Sequence, residues 1–294
     1  MMPKLPQSIA VEPVLSYTVA LCGTNCVFER MRSGLGAAGE KQVVSPLSLI
    51  VSAFAPVSDA RHTLTPQLKI SGETSDLMLI DLGMGRNRLG GSALAQTFNA
   101  TGTAAPDVDA PEKLATFFAL IQRLAADGML LAYHDRSDGG LFACLAEMAF
   151  AAHCGMSVDI GNLCDGSAAG RIGALFAEEL GAVVQIRRAV RNTVQAMFQT
   201  AGIPAVLLGA PDRSGELRIA CRGETVLCEK RVDLQRAWSE TSFHMQSLRD
   251  NPECARQAYD RILDESDPGL SVALTYDAAE DIAAPFIADG ARPR

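Results

Sequence analysis

From residue 43 onward the apolar positions fall into short runs whose spacing switches between strand-like and helix-like. Leu47–Val57 (LSLIVSAFAPV) is β-branched and apolar, is closed by Pro56, and predicts a buried strand. Gly72–Ser75 is a polar break. Asp76–Leu82 (DLMLIDL) is then almost wholly apolar, as expected of a strand covered on both faces. A glycine-bearing loop follows, and Ser92–Phe98 opens a helix. Residues 111–126 predict an amphipathic helix: Pro111 suits its first turn, and Leu114, Phe117, Phe118, Ile121 and Leu124 form one stripe. Next come a strand at Met129–Tyr133, a polar loop at 134–140 and a helix over Leu141–Ala152. A strand at Ser157–Ile160, a helix at Gly170–Leu180 and a strand at Ala182–Ile186 continue the alternation, with Gly181 placed as a left-handed helix cap. Arg191–Thr200 predicts a helix. Ala205–Gly209, Glu216–Cys221 and Glu224–Cys228 predict strands, the last two joined by a hairpin turn at Arg222-Gly223.

Strands and helices thus alternate over residues 76–230, which predicts an α/β (α+β) domain with a mixed sheet flanked by helices. Residues 1–40 show no clear periodicity and read as irregular. Residues 231–294 hold 7 Lys plus Arg against 12 Asp plus Glu and are interrupted by Pro252, Pro268, Pro285 and Pro293. They predict a helix followed by an extended acidic connector.

Composition narrows the function classes. Of the 294 residues, 48% are apolar and 20% charged, so a core is easily buried and disorder is excluded for most of the chain. Lys plus Arg number 26 against 34 Asp plus Glu, a net charge of −8, which argues against a nucleic-acid or anionic-membrane surface. The 5% of aromatic residues leaves few platforms for base stacking. Eight cysteines are scattered without a secretory signal, so no disulfide framework is expected. Cys22-x3-Cys26 lacks a second ligand pair for zinc, and Cys144 and Cys154 fit apolar packing as small hydrophobes. Residues 11–28 are broken by Glu12, Pro13, Gly23 and Asn25 and do not make a spanning helix. The expectation is a reduced, cytoplasmic protein.

Chemistry concentrates in Tyr133-His134-Asp135-Arg136-Ser137-Asp138-Gly139-Gly140, between a strand and an apolar helix. Ligands of open α/β sheets bind beyond the carboxyl ends of strands. There Asp135 offers a hard oxygen to Mg²⁺, Ser137 a hydroxyl to a phosphate, and Gly139-Gly140 a close backbone approach at a helix N-terminus. Asp138 or Ser137 equally suits a plain helix N-cap, and Arg136 a local ion pair with Asp135 or Asp138. His134 has no assigned role. A second segment, Asp81–Ser92, follows a strand and opens a helix; Gly90, Gly91 and Ser92 there are candidates to hold an anion, with Arg86 and Arg88 beside them. It is neither a Walker A loop nor a dinucleotide fingerprint. Glu178-Glu179 reads as the solvated end of a helix, and His153 and His244 show no partners.

Three stretches taken as whole strings are more specific: Val43–Leu68 (VVSPLSLIVSAFAPVSDARHTLTPQL), His134–Phe150 (HDRSDGGLFACLAEMAF) and Ser239–Cys254 (SETSFHMQSLRDNPEC). Together with Asn87–Gln96 and Phe176–Ile186 they resemble, in order, the large single-chain phosphoribosylformylglycinamidine synthases of purine biosynthesis. The resemblance runs from about residue 41 to the end of the sequence. It implies the C-terminal part of that family's synthase region, with the C-terminal domain of an aminoimidazole ribonucleotide synthetase-like fold.

On that resemblance, residues 41–75 are the tail of an N-terminal synthetase-like domain and 76–230 the C-terminal domain. Residues 231–294 are a connector toward an absent glutaminase, and 1–40 do not match. The implied activity is an ATP- and Mg²⁺-dependent carbon–nitrogen ligase. It converts formylglycinamide ribonucleotide to the amidine with ammonia drawn from glutamine. Asp135 matches a Mg²⁺-ligand position and Ser137 a nucleotide-contacting one, for catalytic ATP or for a structural ADP. The remaining synthase and glutaminase portions are the expected protein partners, without which the chain is expected to be inactive. The alternatives are a non-catalytic nucleotide-binding module that docks on those portions, and a stand-alone Mg²⁺-dependent phosphate-processing enzyme.

Overall fold

The computed structural model describes residues 63–70, 72–267, 272–277 and 279–281, together with four short strands nearer the N-terminus. The chain divides into two compact units, Met1–Thr63 and Leu64–Arg294.

In the first unit, β1 (Thr18–Leu21) pairs antiparallel with β4 (Val51–Phe54), and β2 (Arg30–Arg32) with β3 (Gln42–Val44). Residues 1–40 are therefore not wholly irregular. β1 and β2 find partners beyond residue 40, a long-range pairing that leaves no local periodicity. Cys22 and Cys26 lie outside the described residues.

The second unit is built on one mixed seven-stranded sheet. Its strands are β5 (Ser75–Asp81), β6 (Leu130–Asp135), β7 (Gly155–Asp159), β8 (Gly181–Arg187), β9 (Ala205–Asp212), β10 (Glu216–Cys221) and β11 (Glu224–Lys230). Their order is β11-β10-β7-β9-β5-β8-β6, and only β7 and β10 pair in parallel. β5 pairs on both sides and all seven of its residues are buried, which explains its unbroken apolar run.

Alternation along the strands sends side chains to two cores. Leu77, Leu79, Val183 and Met156 face α3 (Gly140–Ala152) and α4 (Ala168–Phe176). Met78, Ile80, Val184 and Ile186 face α2 (Pro111–Ala126) and α5 (Arg191–Thr200), where Phe117 and Phe198 meet at 6.4 Å between ring centroids. The mixed sheet flanked by helices is as the pattern predicted.

Several expectations are corrected. The stripe on α2 is narrower than its sequence suggests: Phe117, Ile121 and Leu124 are buried, whereas Leu114 and Phe118 are exposed. α4 ends at Phe176, and residues 177–180 cross to β8 without helix. Gly181 consequently opens a strand instead of capping a helix. At φ +150° it packs so closely on the Ile80 carbonyl that no side chain fits. The helix at 231 is followed by a second one and not directly by an extended connector. α6 (Arg231–Arg249) and α7 (Pro252–Arg261) pack together, with the rings of Phe243 and Tyr259 stacked at 4.4 Å and the Arg236 guanidinium 3.8 Å above Tyr259. Among the described residues no helix is long and apolar enough to cross a membrane.

Candidate functional site

Strand direction decides where chemistry can gather. β5, β6, β7 and β10 run one way and β8, β9 and β11 the other, so the first four present their carboxyl ends on one edge. Three of those four strands end on an aspartate: Asp81, Asp135 and Asp159.

Two of the three are committed to turn amides. Asp81 accepts from the amides of Gly83 (3.0 Å) and Gly85 (2.7 Å) and pairs with Arg136. Asp159 accepts from the amides of Gly161, Arg222 and Gly223 at 2.7, 3.0 and 2.8 Å. Asp135 differs. It is exposed, and the hydroxyl of Tyr133 donates to it at 2.5 Å. That bond holds the carboxylate at the strand end, and Tyr133, half-buried, is pushed above the usual phenol range first by burial and then by Asp135.

Ser137 lies two residues beyond Asp135 and is also exposed, while its carbonyl closes the turn by accepting from the Gly140 amide at 2.9 Å. Neither Ser137 nor Asp138 caps the next helix. Gly139 does so, with φ +80° and no side-chain cap, and its amide donates to Glu178 Oε1 at 2.9 Å. Gly140 follows at φ +68°, against the backbone of Leu175 and Phe176.

Arg136 turns away from its neighbours Asp135 and Asp138. It is buried, bonds Asp81 at 2.5 Å, and donates to the carbonyls of Glu179 (2.6 Å) and Leu180 (2.9 Å). His134 is held between Glu147 on α3 (2.8 Å) and the Asp135 carbonyl (2.9 Å), a positioning arrangement. Beneath the loop, burial pushes the Cys144 thiol up to about 12, in keeping with its reading as a small hydrophobe.

The second segment is closed on itself. The amides of Gly90, Gly91 and Ser92 donate to the carbonyls of Ala104, Thr101 and Leu89, and the Ser92 hydroxyl caps the five-residue α1 (Ala93–Thr97). These three residues thus sit in internal hydrogen bonds, with Ala93 N donating to Glu178.

Glu179 is fully buried, not a solvated helix end. It receives the Arg88 side chain at 2.7 Å, and Arg88 also reaches Asp109, which Arg86 meets at 2.5 Å. Those pairings hold Arg88 above and Asp109 below their ordinary ranges, through Glu179 and Arg86 respectively. Their charge is matched within the protein. His153 adopts the left-handed conformation that ends α3, and His244 lies 3.9 Å from Glu240 one turn away.

Sequence reasoning left Asp81, Glu147, Glu178 and Glu179 without these roles. For Asp81 a signal existed: an acid at a strand end directly before Gly83-Met84-Gly85. The glutamates act through contacts distant in sequence and left none.

Residues 78–221, a little under half of the chain, match the family described as AIR synthase related protein, C-terminal domain. The match agrees with the resemblance seen in the sequence to the C-terminal part of a synthase region.

Among solved structures, the chain is similar to PurL of Thermotoga maritima complexed with FGAR, at 12% identity over 63% of this chain and 30% of that one (TM-score 0.49). It is also similar to phosphoribosylformylglycinamidine synthase II of the same organism, at 10% identity over 62% and 28% (TM-score 0.47). A third is E. coli HypE, a hydrogenase maturation protein, at 21% identity over 57% and 52% (TM-score 0.40). The chain spans less than a third of the length of the two Thermotoga structures.

Proposed function

We propose that the chain is the C-terminal part of the synthase region of a cytoplasmic ATP-dependent amidoligase, which converts formylglycinamide ribonucleotide to formylglycinamidine ribonucleotide with glutamine-derived ammonia. On this reading it needs the remaining synthase and glutaminase portions to turn over. The observation that carries the reading is Asp135: of the three aspartates that end strands on this edge of the sheet, it is the one not committed to turn amides.

The residues fit a Mg²⁺–nucleotide in a particular way. Among the described residues no cluster of three or more His, Cys, Asp or Glu could cage a metal. Mg²⁺ at phosphates, however, usually takes one or two carboxylates and completes its shell with phosphate oxygens and water. A single exposed carboxylate suits that mode. When bound, Mg²⁺ supplies positive charge against the phosphates.

The chain's own residues do the rest. Tyr133 orients the Asp135 carboxylate, and the Ser137 hydroxyl donates to a phosphate oxygen. The Ser137-to-Gly140 turn keeps bulk away from it, and Arg136 fixes the loop from below. The Gly90-Gly91-Ser92 amides contribute no anion contact while they hold their internal bonds.

Isothermal titration of Mg²⁺–ADP into wild type, Asp135→Ala and Ser137→Ala tests the site. The expected outcome is a loss of about tenfold or more for Asp135→Ala, in the range of removing one metal-organising group; equal affinities would remove Asp135 from it. Assay with formylglycinamide ribonucleotide, ATP and ammonia is expected to give no turnover by the chain alone. Turnover there would overturn the need for the other portions.

A second reading, a non-catalytic nucleotide-binding module that docks on those portions, draws on one feature. Trp238, Met245 and Leu248 stand exposed along α6. It predicts nucleotide binding that does not change when the full synthase turns over.

A further inference from the structure

At the far flank of the same strand edge, away from Asp135, two thiols meet. Cys221 is the last residue of β10 and only 2% exposed, while Cys164 lies half-buried in the turn after β7. Their sulfurs are 3.8 Å apart, although 57 residues separate them in sequence. Among the described residues this is the one contact between cysteine sulfurs.

The scaffold around the pair is tightly tied. Ile160 N donates to the Ala220 carbonyl at 2.8 Å, the amides of Arg222 and Gly223 hold Asp159, and the Arg222 guanidinium donates to the Cys164 carbonyl at 3.2 Å. Access is one-sided. Cys164 lines a cavity of about 380 Å³ bounded by Met84, Asn87, Asn162 and Arg136, and Cys221 is not among its lining residues. Arg171, paired with Glu224 at 2.8 Å, also faces the Cys221 sulfur and adds a cation beside the pair.

We propose that Cys164 and Cys221 form a peroxide-responsive thiol pair that closes to a disulfide and so locks the turn after β7 to the end of β10. Cys164, the sulfur open to the cavity, attacks hydrogen peroxide as its thiolate. An S–O bond forms, the O–O bond breaks, and the departing hydroxide takes a proton to become water. The Cys221 sulfur then attacks the resulting sulfenic acid. An S–S bond forms, the S–O bond breaks, and the hydroxyl leaves as a second water with the Cys221 proton. Two electrons pass from the two sulfurs to the peroxide. A contact of 3.8 Å contracts to a bond of about 2.05 Å by side-chain rotation and small backbone adjustment. In the resting state burial, with Cys164 beside it, keeps the Cys221 thiol above its ordinary range and so protonated until that second step.

The test is peptide mapping of the full chain after hydrogen peroxide, with free thiols alkylated and cleavage before aspartate and after arginine. This isolates Cys164 in residues 159–164 and Cys221 in residues 219–222. The expected product is these two peptides joined, with a loss of two hydrogens that dithiothreitol restores. In Cys164→Ser the joined product is lost. The proposal is overturned if, at a dose that oxidises exposed Cys254, Cys164 is recovered alkylated or over-oxidised with Cys221 unlinked. It is equally overturned if Cys164 links to another cysteine. Should Cys164→Ser fail to fold, the wild-type map alone decides between these outcomes.

Discussion

Arg136 Nη2 lies 2.5 Å from Asp81 Oδ1, and this buried contact joins the loop after β5 to the loop after β6. Both side chains are nearly inaccessible, at 3% and 6% exposure, so neither charge can fall back on water. Removing one partner strands the other, at a cost of about 3–5 kcal/mol for a buried pair. Arg136→Met and Asp81→Asn are each expected to lower the unfolding free energy by roughly that amount in urea titrations. Arg136→Lys should rescue little, because an ammonium cannot address Asp81 and the carbonyls of Glu179 and Leu180 with the same planar fork. A loss under about 1 kcal/mol in Arg136→Met would mean the pair does not organise the loops.

Gly140 and Gly85 make a paired test of the loop backbone. Both have positive φ, +68° and +80°, a conformation costing a non-glycine residue about 1–2 kcal/mol. A side chain at Gly85 would meet nothing within 4 Å, whereas one at Gly140 would lie 2.7 Å from the Leu175 carbonyl oxygen. Gly85→Ala is therefore expected to lower thermal stability modestly and Gly140→Ala much more. Equal melting points for the two variants would show that α4 yields to the intrusion.

These relationships also mark how far the sequence could be read. The α2 pattern over 111–126 matches its helix end for end, because a long amphipathic period with proline at its start is a local property. The Arg222-Gly223 turn is equally local, and both residues take the positive φ such a hairpin turn demands. Asp135 and Ser137 stand out in the sequence as candidates because an acid and a hydroxyl lie where a predicted strand gives way to a loop. Arg136 was misread as a local ion-pair partner, and Glu179 as a solvated helix end. Their true partners lie 55 and 91 residues away, and only the folded sheet brings them within reach. Of the four strands before residue 63, β4 falls within the apolar run read as a strand at Leu47–Val57, whereas β1, β2 and β3 escaped, being only three or four residues long.

Asp159 supplies a pH dependence. Burial works against its charge, but the amides of Gly161, Gly223 and Arg222 outweigh it and hold the carboxyl below the usual aspartate range. A carboxyl depressed on folding contributes stability that is fully present above its unfolded value of about 3.9. That contribution is lost as pH falls through the lower, folded value. Urea midpoints at pH 7 and pH 3 are expected to differ less for Asp159→Asn than for wild type. The acid-side difference between the two proteins should close, since wild-type Asp159 is itself becoming protonated there. A difference independent of pH would assign the effect to packing of the hairpin.

Glu147 connects the last helices to the candidate loop. Its two carboxylate oxygens accept from the Trp238 indole at 3.1 Å and meet His134 at 2.8 Å, and His134 in turn contacts the Asp135 carbonyl. Trp238 also packs on Phe150, 6.0 Å between ring centroids, so α6 is anchored to α3 at this point. Because Trp238 is the chain's one tryptophan, its fluorescence reports the anchor directly. Glu147→Ala removes both acceptors, and is expected to cost about 1–3 kcal/mol and to shift the emission to longer wavelength as the indole loses its partner. Glu147→Gln keeps an acceptor oxygen for the indole, and its amide N–H can donate to Nε2 of a neutral His134 whose Nδ1–H donates to the Asp135 carbonyl, so both contacts are expected to survive and emission to stay near wild type. Nucleotide affinity then separates the two halves of the relay: it should fall in Glu147→Ala and be kept in Glu147→Gln if His134 positions the Asp135 strand end, and fall in neither if Glu147 serves only to seat α6. An unchanged emission spectrum in Glu147→Ala would show that the ring contact with Phe150 holds Trp238 without it.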